Sequence, residues 1–153
     1  IKRNLKFQLF INIEENKIVL HNKSNNKYIL SNGTYLDNDN KKRKEIAQYY
    51  IENIKNNKII TRKSYSKDAN VWHVFPVRTQ NRNLFQQYLL ENDIQSLIHY
   101  PIPPHKQECY KELNHLSFKI TEQIHSEIIS IPISPVMSDN EIQKVVEVVN
   151  EFK

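Results

Sequence analysis

Residues 71–100 read VWHVFPVRTQNRNLFQQYLLENDIQSLIHY and carry the main pattern of the fold. The β-branched and aromatic residues of 71–79 predict a strand, and Pro76 places it at an edge or near a strand end, because proline cannot donate to a sheet ladder. Residues 81–92 predict a helix, and residues 95–100 predict a second strand. The inward face of this helix is predicted to hold Leu84, Phe85, Tyr88 and Leu89.

The chain beyond residue 100 continues to alternate between helix and strand patterns. Prolines at 101–104 predict a stiff exit loop, because each fixes its own φ angle. A short helix is predicted at 106–113, a longer one at 121–129 and a brief strand at 130–133. Ser-Asp-Asn-Glu at 138–141 is a capping box that opens a final helix. The apolar stripe of that helix is predicted to be Ile142, Val145, Val146, Val149 and Phe152. This order predicts an α/β or α+β fold, a small sheet packed with helices.

The N-terminal part of the chain has a different pattern, which predicts a β-rich appendage at 1–35. Its short apolar runs, separated by Asn-rich breaks, predict strands at 5–11, 17–21 and 27–30. Ser-Asn-Gly predicts a turn at 31–36, and a long helix follows at 37–55 with Asp37 or Asn38 as its cap. We therefore expect two parts, the appendage and a domain at 36–153, whose α/β unit covers 71–153.

Composition excludes several classes of protein. The chain has 153 residues, and its apolar runs are far shorter than the roughly 20 residues of a membrane span. One cysteine excludes an internal disulfide and fits a reducing, cytoplasmic location. One glycine excludes the Gly-rich loops that cradle phosphates. The net charge of +5 is modest, and 17 lysines against 5 arginines make nucleic-acid recognition an unfavoured alternative that rests on the basic run at 41–44.

The chemistry-bearing residues gather in the loop after the second predicted strand. The imidazole of His99 and the phenol of Tyr100 are suited to bind a hydroxylated or anionic ligand, and the alternative is a packed, internally satisfied pair. A metal site formed by His99 with His105 and His73 lacks a supporting ligand spacing, so no metal is expected and His73 is predicted to be a half-buried strand residue. Cys109 has no indicated base partner and is predicted to be a small buried side chain.

Four segments of the sequence resemble a known family. VWHVF at 71–75, LIHYPIPPHKQ at 97–107 and SIPI at 130–133 are similar to the C-terminal small domain of the DegT/DnrJ/EryC1/StrS family. The segment at 36–50, with NKKRKEIA and two tyrosines, resembles the long helix that leads into that domain. The resemblance covers residues 36–153, and LIHYPIPPH followed by Gln107 is its most specific part.

The resemblance implies a small domain of a fold-type I, pyridoxal-phosphate (PLP)-dependent nucleotide-sugar aminotransferase. Such enzymes transfer an amino group from glutamate to a keto-sugar, here on a thymidine-diphosphate (dTDP) carrier, in deoxysugar and polysaccharide biosynthesis. His99 and Tyr100 would contact the hexose, and no residue of the chain is assigned to catalysis or to PLP.

The same resemblance predicts what the chain needs in order to act. The family's PLP lysine belongs to a large domain that residues 1–35 do not match, so we expect no PLP on this chain alone and no transamination without a large domain or a homodimer partner. The chain would then be an excerpt, a truncated product or a gene remnant. The alternative is a stand-alone, non-catalytic module that binds a sugar or a partner protein.

Overall fold

A computed structural model describes residues 12–14, 17–21, 27–62 and 70–153, with side chains from residue 36 onward. The chain divides into two compact units, Ile1–Lys41 and Lys42–Lys153. Each unit is described by itself below.

The first unit contains a three-stranded antiparallel sheet whose strands follow the order of the chain. Its strands are β1 (Asn12–Glu14), β2 (Lys17–His21) and β3 (Lys27–Asn32). The strands predicted at 17–21 and 27–30 are confirmed, and the one predicted at 5–11 lies outside the described residues. The turn predicted at 31–36 is wrong. Strand β3 runs to Asn32 and helix α1 (Gly33–Asn53) begins at the next residue. Ser, Asn and Gly indicate where one element ends and the next begins, but not how many residues separate the two elements. Asp37 therefore lies inside the helix.

The second unit packs helices on a small antiparallel sheet. Its strands are β4 (Ile60–Thr61), β5 (Phe75–Arg78) and β6 (Ile128–Ile131), joined in that order. Its helices, beside the end of α1, are α2 (Arg82–Glu91), α3 (Lys119–Glu127) and α4 (Asp139–Glu151). The expectation of a small sheet packed with helices is confirmed, and the antiparallel pairing makes the fold α+β.

One hydrophobic core joins the sheet to the helices. Phe75 and Val77 of β5 pair with Ile131 and Ile129 of β6, and all four are buried because alternate residues of a strand share a face. The helices bury Ile46, Tyr50 and Ile54 of α1, Phe85 and Leu89 of α2, and Ile142, Val145, Val146, Val148 and Val149 of α4, together with Phe152. The apolar stripe predicted for the last helix is confirmed, as is its capping box at Ser138.

One predicted strand is shorter than the sequence indicated, and another does not form. The strand at 71–79 is reduced to Phe75–Arg78, since the backbone at Trp72 has a positive φ of 49° that no strand can contain. The strand at 95–100 is wrong: only Leu97 pairs, in an isolated bridge to Ser130. Leucine and isoleucine spacing alone does not distinguish a short strand from an extended loop.

The helices after the proline loop also differ in detail. The helix predicted at 106–113 is replaced by two 3₁₀ turns, Pro104–Lys106 and Glu108–Leu113. Pro103 and Pro104 cannot donate backbone hydrogen bonds, which favours such short turns over a continuous helix. Leu84 was predicted to face inward on α2 but is exposed. Phe85 and Leu89, predicted on the same face, are buried.

Candidate functional site

The loop at 97–107 begins beside the β6 edge of the sheet. Leu97 exchanges two backbone hydrogen bonds with Ser130, at 3.2 and 2.7 Å. Because neighbouring strand residues point to opposite faces, the Ser130 side chain lies away from Ile129 and Ile131. The Ser130 hydroxyl is 3.0 Å from Nδ1 of His99. Strand β6 therefore contacts the loop twice, through the backbone of Leu97 and through the imidazole of His99.

His99 lines an open cleft of about 820 Å³, and Tyr100 follows it in the chain. Their rings meet edge to face with centroids 5.5 Å apart. The Tyr100 side chain is 65% exposed. Side-chain amides of Asn83, Gln86 and Gln87 line another part of the wall. Amide, imidazole and phenol groups can donate and accept hydrogen bonds, which suits a ligand rich in hydroxyl groups.

Two residues of α3 contact the loop, one at Tyr100 and one at His105. His125 Nδ1 lies 2.6 Å from the Tyr100 carbonyl, and His105 Nε2 lies 2.9 Å from Oε1 of Glu122. The hydrogen bond from His105, and a second from the Phe118 amide, hold the pKa of Glu122 below its usual value. The carboxylate is therefore charged at neutral pH, which strengthens its hydrogen bond to the imidazole.

A partly buried ion pair lies on the same face of the sheet as the Ser130 side chain. Arg78 of β5 donates from Nε and Nη2 to Oε2 of Glu127, at 3.0 and 2.6 Å. Hydrogen bonds from Gln123, and then from Arg78, lower the pKa of the Glu127 carboxyl against the opposing effect of burial. Arg82 of α2 donates to the His125 carbonyl at 2.6 Å. These contacts fix α3 against the sheet and α2.

Several other predicted features come out differently. His73 is exposed and lines the cleft, so its prediction as a half-buried strand residue is wrong; the bend at 73–74 precedes β5. Cys109 is exposed rather than buried, because it lies in a 3₁₀ turn at the surface. Lys42 of the basic run lies 3.6 Å from Asp139.

Two classes of site are not found in the part of the chain that the structure describes. No three His, Cys, Asp or Glu side chains there approach closely enough to hold a metal ion. Within the same residues, no helix combines the length and apolar character needed to cross a membrane.

The sequence singled out His99 and Tyr100 but missed the residues around them. Ser130, Glu122 and His125 contact the loop from positions 17 to 31 residues away in the chain, a proximity that no local pattern encodes. The one available signal was the spacing of Glu122 and His125, three residues apart on a predicted helix, which places both on one face.

Comparison with solved structures defines the class of protein. DesV from Streptomyces venezuelae, in complex with a ketimine intermediate, superposes with a TM-score of 0.70 and 26% identity, over 77% of this chain and 33% of that one. NtdA from Bacillus subtilis, with bound cofactor PMP, gives a TM-score of 0.69 and 27% identity, over 77% of this chain and 29% of that one. The second unit thus has the fold of part of a sugar aminotransferase.

Comparison of sequences defines the family. The model of the DegT/DnrJ/EryC1/StrS aminotransferase family matches residues 30–150, and the chain belongs to that family. It is 56% identical over 119 residues to dTDP-3-amino-3,6-dideoxy-α-D-galactopyranose transaminase of Aneurinibacillus thermoaerophilus. The aligned region covers 78% of this chain and 33% of that protein. It is 28% identical over 121 residues to dTDP-3-amino-3,4,6-trideoxy-α-D-glucose transaminase of Streptomyces venezuelae, with coverages of 77% and 32%. The chain spans about a third of the length of these relatives.

Proposed function

We propose that residues 36–153 are the sugar-binding small domain of a nucleotide-sugar aminotransferase, preceded by a separate β-rich appendage at 1–35. The substrate would be a keto-deoxyhexose carried on dTDP, and His99 and Tyr100 would contact its hexose. The 56% identity to a dTDP-sugar transaminase supports this substrate class. The small domain would act together with the two thirds of such an enzyme that this chain does not span.

The arrangement of His99 and Tyr100 is the observation that carries the proposal. Ser130 occupies Nδ1 of His99, and no other hydrogen bond to this ring occurs among the described residues, so Nε2 remains for a ligand. The neighbouring Tyr100 side chain is exposed, and its ring meets the His99 ring edge to face. One imidazole nitrogen and one phenol at a fixed spacing can bind two adjacent hydroxyl or carbonyl oxygens of a sugar.

The cleft itself does not fit PLP. A PLP site needs a lysine amine for the cofactor's aldehyde and a carboxylate facing the pyridine nitrogen. Neither a lysine nor a carboxylate is among the residues that line this cleft. The role proposed for the cleft is therefore restricted to holding and orienting the sugar.

A chimeric enzyme tests the proposal. Residues 36–153 replace the aligned region of the Aneurinibacillus transaminase, and amino transfer from glutamate to the dTDP-keto-sugar is measured. We expect the chimera to be active. His99→Ala and Tyr100→Phe should each raise KM for the sugar about tenfold, with a smaller effect on kcat, because each removes one hydrogen bond used in binding.

His115 provides a matched control for the chimera. It is an exposed histidine whose Nδ1 contacts the Glu112 carbonyl at 2.8 Å, outside the cleft, so His115→Ala should leave KM unchanged. An active chimera in which neither His99→Ala nor Tyr100→Phe changes KM would contradict the assigned contacts. A folded but inactive chimera would contradict the aminotransferase role and favour the stand-alone binding module.

A further inference from the structure

We propose that Glu122 and His125 of α3 are positioning residues that clamp the two ends of the loop at 100–105 and so hold His99 and Tyr100 in their ligand-binding arrangement. The consequence for sugar binding rests on the function proposed above, whereas the clamp itself rests on contacts within this chain. Neither residue touches the cleft directly.

The first end of the loop is held through its backbone. His125 Nδ1 lies 2.6 Å from the Tyr100 carbonyl oxygen, and because a carbonyl only accepts, Nδ1 carries the proton. The carbonyl belongs to the residue whose side chain is proposed to bind the sugar. The backbone of His125 is in turn fixed by the 2.6 Å hydrogen bond from Arg82 Nη1 to its own carbonyl. Helix α2 is thereby connected to Tyr100 through one histidine.

The second end of the loop is held through a side chain. His105 is only 5% exposed, and its Nε2 donates to Oε1 of Glu122 at 2.9 Å. The Phe118 ring packs against the His105 imidazole edge to face at 4.9 Å, and the Phe118 amide donates to the same carboxylate at 3.1 Å. This end is therefore buried, packed and hydrogen-bonded.

The two anchors work as a pair because Glu122 and His125 are three residues apart on one helical face. Between the anchored ends lie Pro101, Pro103 and Pro104, whose rings fix φ. A loop with few free torsions and two fixed ends loses little conformational entropy when a ligand binds. Release of either anchor should increase the motion of the loop and weaken ligand binding.

Conservative variants separate positioning from general folding. His125→Ala removes the donor, whereas His125→Asn restores a side-chain N–H near the position of Nδ1. Glu122→Ala removes the acceptor, whereas Glu122→Gln keeps a carbonyl oxygen for His105. His115→Ala is the control, because it removes a histidine–carbonyl contact that does not involve the loop. Alanine is a strong helix former, so the α3 variants should fold; if Glu122→Ala does not, His125→Ala tests the other anchor independently.

The measurements are made on the full 153-residue chain, labelled with ¹⁵N. The heteronuclear NOE of the Ile102 amide reports loop order, and titration with dTDP-glucose followed by NMR gives the Kd. We expect His125→Ala and Glu122→Ala to lower the Ile102 NOE and to weaken dTDP-glucose binding about fivefold. The Asn and Gln variants and the His115→Ala control should stay near the wild-type values.

Each outcome bears on one of the two proposals. If the Ile102 amide is as ordered in His125→Ala as in His115→Ala, the clamp does not exist. If the loop loosens while dTDP-glucose binds as tightly as before, the clamp does not position the residues that bind the ligand, and the inference fails. If the loop loosens but the wild-type chain binds no dTDP-glucose at all, the clamp is supported and the stand-alone sugar-binding module is contradicted, because the aminotransferase role has the small domain act together with the rest of the enzyme.

Discussion

Ser138 begins α4 through reciprocal hydrogen bonds with Glu141. The Ser138 amide and hydroxyl both donate to Oε2 of Glu141 at 2.7 Å, and the Glu141 amide donates back to the serine Oγ at 3.4 Å. The hydrogen bonds from the Ser138 backbone and then from its hydroxyl lower the pKa of the Glu141 carboxyl. The cap therefore acts most strongly when this carboxyl is ionised.

We predict that Ser138→Ala lowers the free energy of unfolding by about 1 kcal/mol at pH 7, the usual effect of losing an N-cap side chain. The loss should be smaller at pH 3. A carboxyl with a lowered folded-state pKa contributes stability above its unfolded pKa of about 4.3, and that contribution disappears as the pH falls through the folded value. Urea unfolding at the two pH values measures both effects.

Ser117→Ala is the control for this prediction, since Ser117 is exposed and lies outside the described helices and strands. Its effect should be small and equal at the two pH values. A Ser138→Ala penalty that is unchanged or larger at pH 3 would contradict the role given to the Glu141 carboxylate.

The C-terminal ends of α1 and α4 are joined by two asparagine side chains. Asn150 Oδ1 accepts from the Lys55 and Asn56 amides at 2.7 and 3.2 Å, and its Nδ2 donates to the Asn53 carbonyl at 2.9 Å. In the opposite direction, Asn56 Nδ2 donates to the Val149 carbonyl at 2.9 Å. Backbone groups that a helix end leaves unpaired are satisfied by the neighbouring helix.

We predict that Asn150→Ala lowers the free energy of unfolding by about 2 kcal/mol, because it removes the three hydrogen bonds by which this side chain joins the ends of α1 and α4. Asn150→Asp keeps both acceptor contacts and loses only the donor to Asn53, so its effect should be about half as large. Asn140→Ala, at an exposed position in the first turn of α4, is the control. Thermal and urea unfolding measure all three variants, and equal effects of Asn150→Ala and Asn140→Ala would contradict the prediction.

Helix α4 was predictable from the sequence, whereas the segment at 95–100 was not. Helix α4 has both a capping box and an apolar stripe, two independent signals that agree, and it begins and is buried as predicted. The segment at 95–100 has strand-like composition, but only Leu97 finds a pairing partner. Whether a short apolar segment pairs depends on the edge of β6, which is formed by residues about 30 positions later.

The sequence indicated two candidate residues of the site but not the residues that support them. The resemblance of LIHYPIPPH to a family loop pointed to His99 and Tyr100. The contacts of these two residues with Ser130 and His125 arise only when β6 and α3 pack beside the loop. Contacts between residues far apart in the chain are set by tertiary packing, which local propensity does not encode.

A single core connects the elements of Lys42–Lys153. Among the residues whose side chains are described, this core begins at Ile46 and ends at Phe152. Tyr50 lies fully inside it, and its hydroxyl donates to the Pro132 carbonyl at 2.9 Å. Burial raises the pKa of this phenol far above its ordinary value, so its hydroxyl keeps its proton and donates at neutral pH. The part of helix α1 from Lys42 onward therefore belongs to the second unit.

We predict that a fragment of residues 36–153 unfolds cooperatively, with a midpoint within about 4 °C of the full chain, because the described core lies wholly inside it. A fragment of residues 55–153 should not fold, since it lacks Ile46, Tyr50 and the rest of α1 in the core. Differential scanning calorimetry of the three polypeptides measures this. A fragment of 36–153 that loses its transition, or melts more than about 10 °C lower, would mean that residues 1–35 contribute to the same core and would contradict the proposed division of the chain.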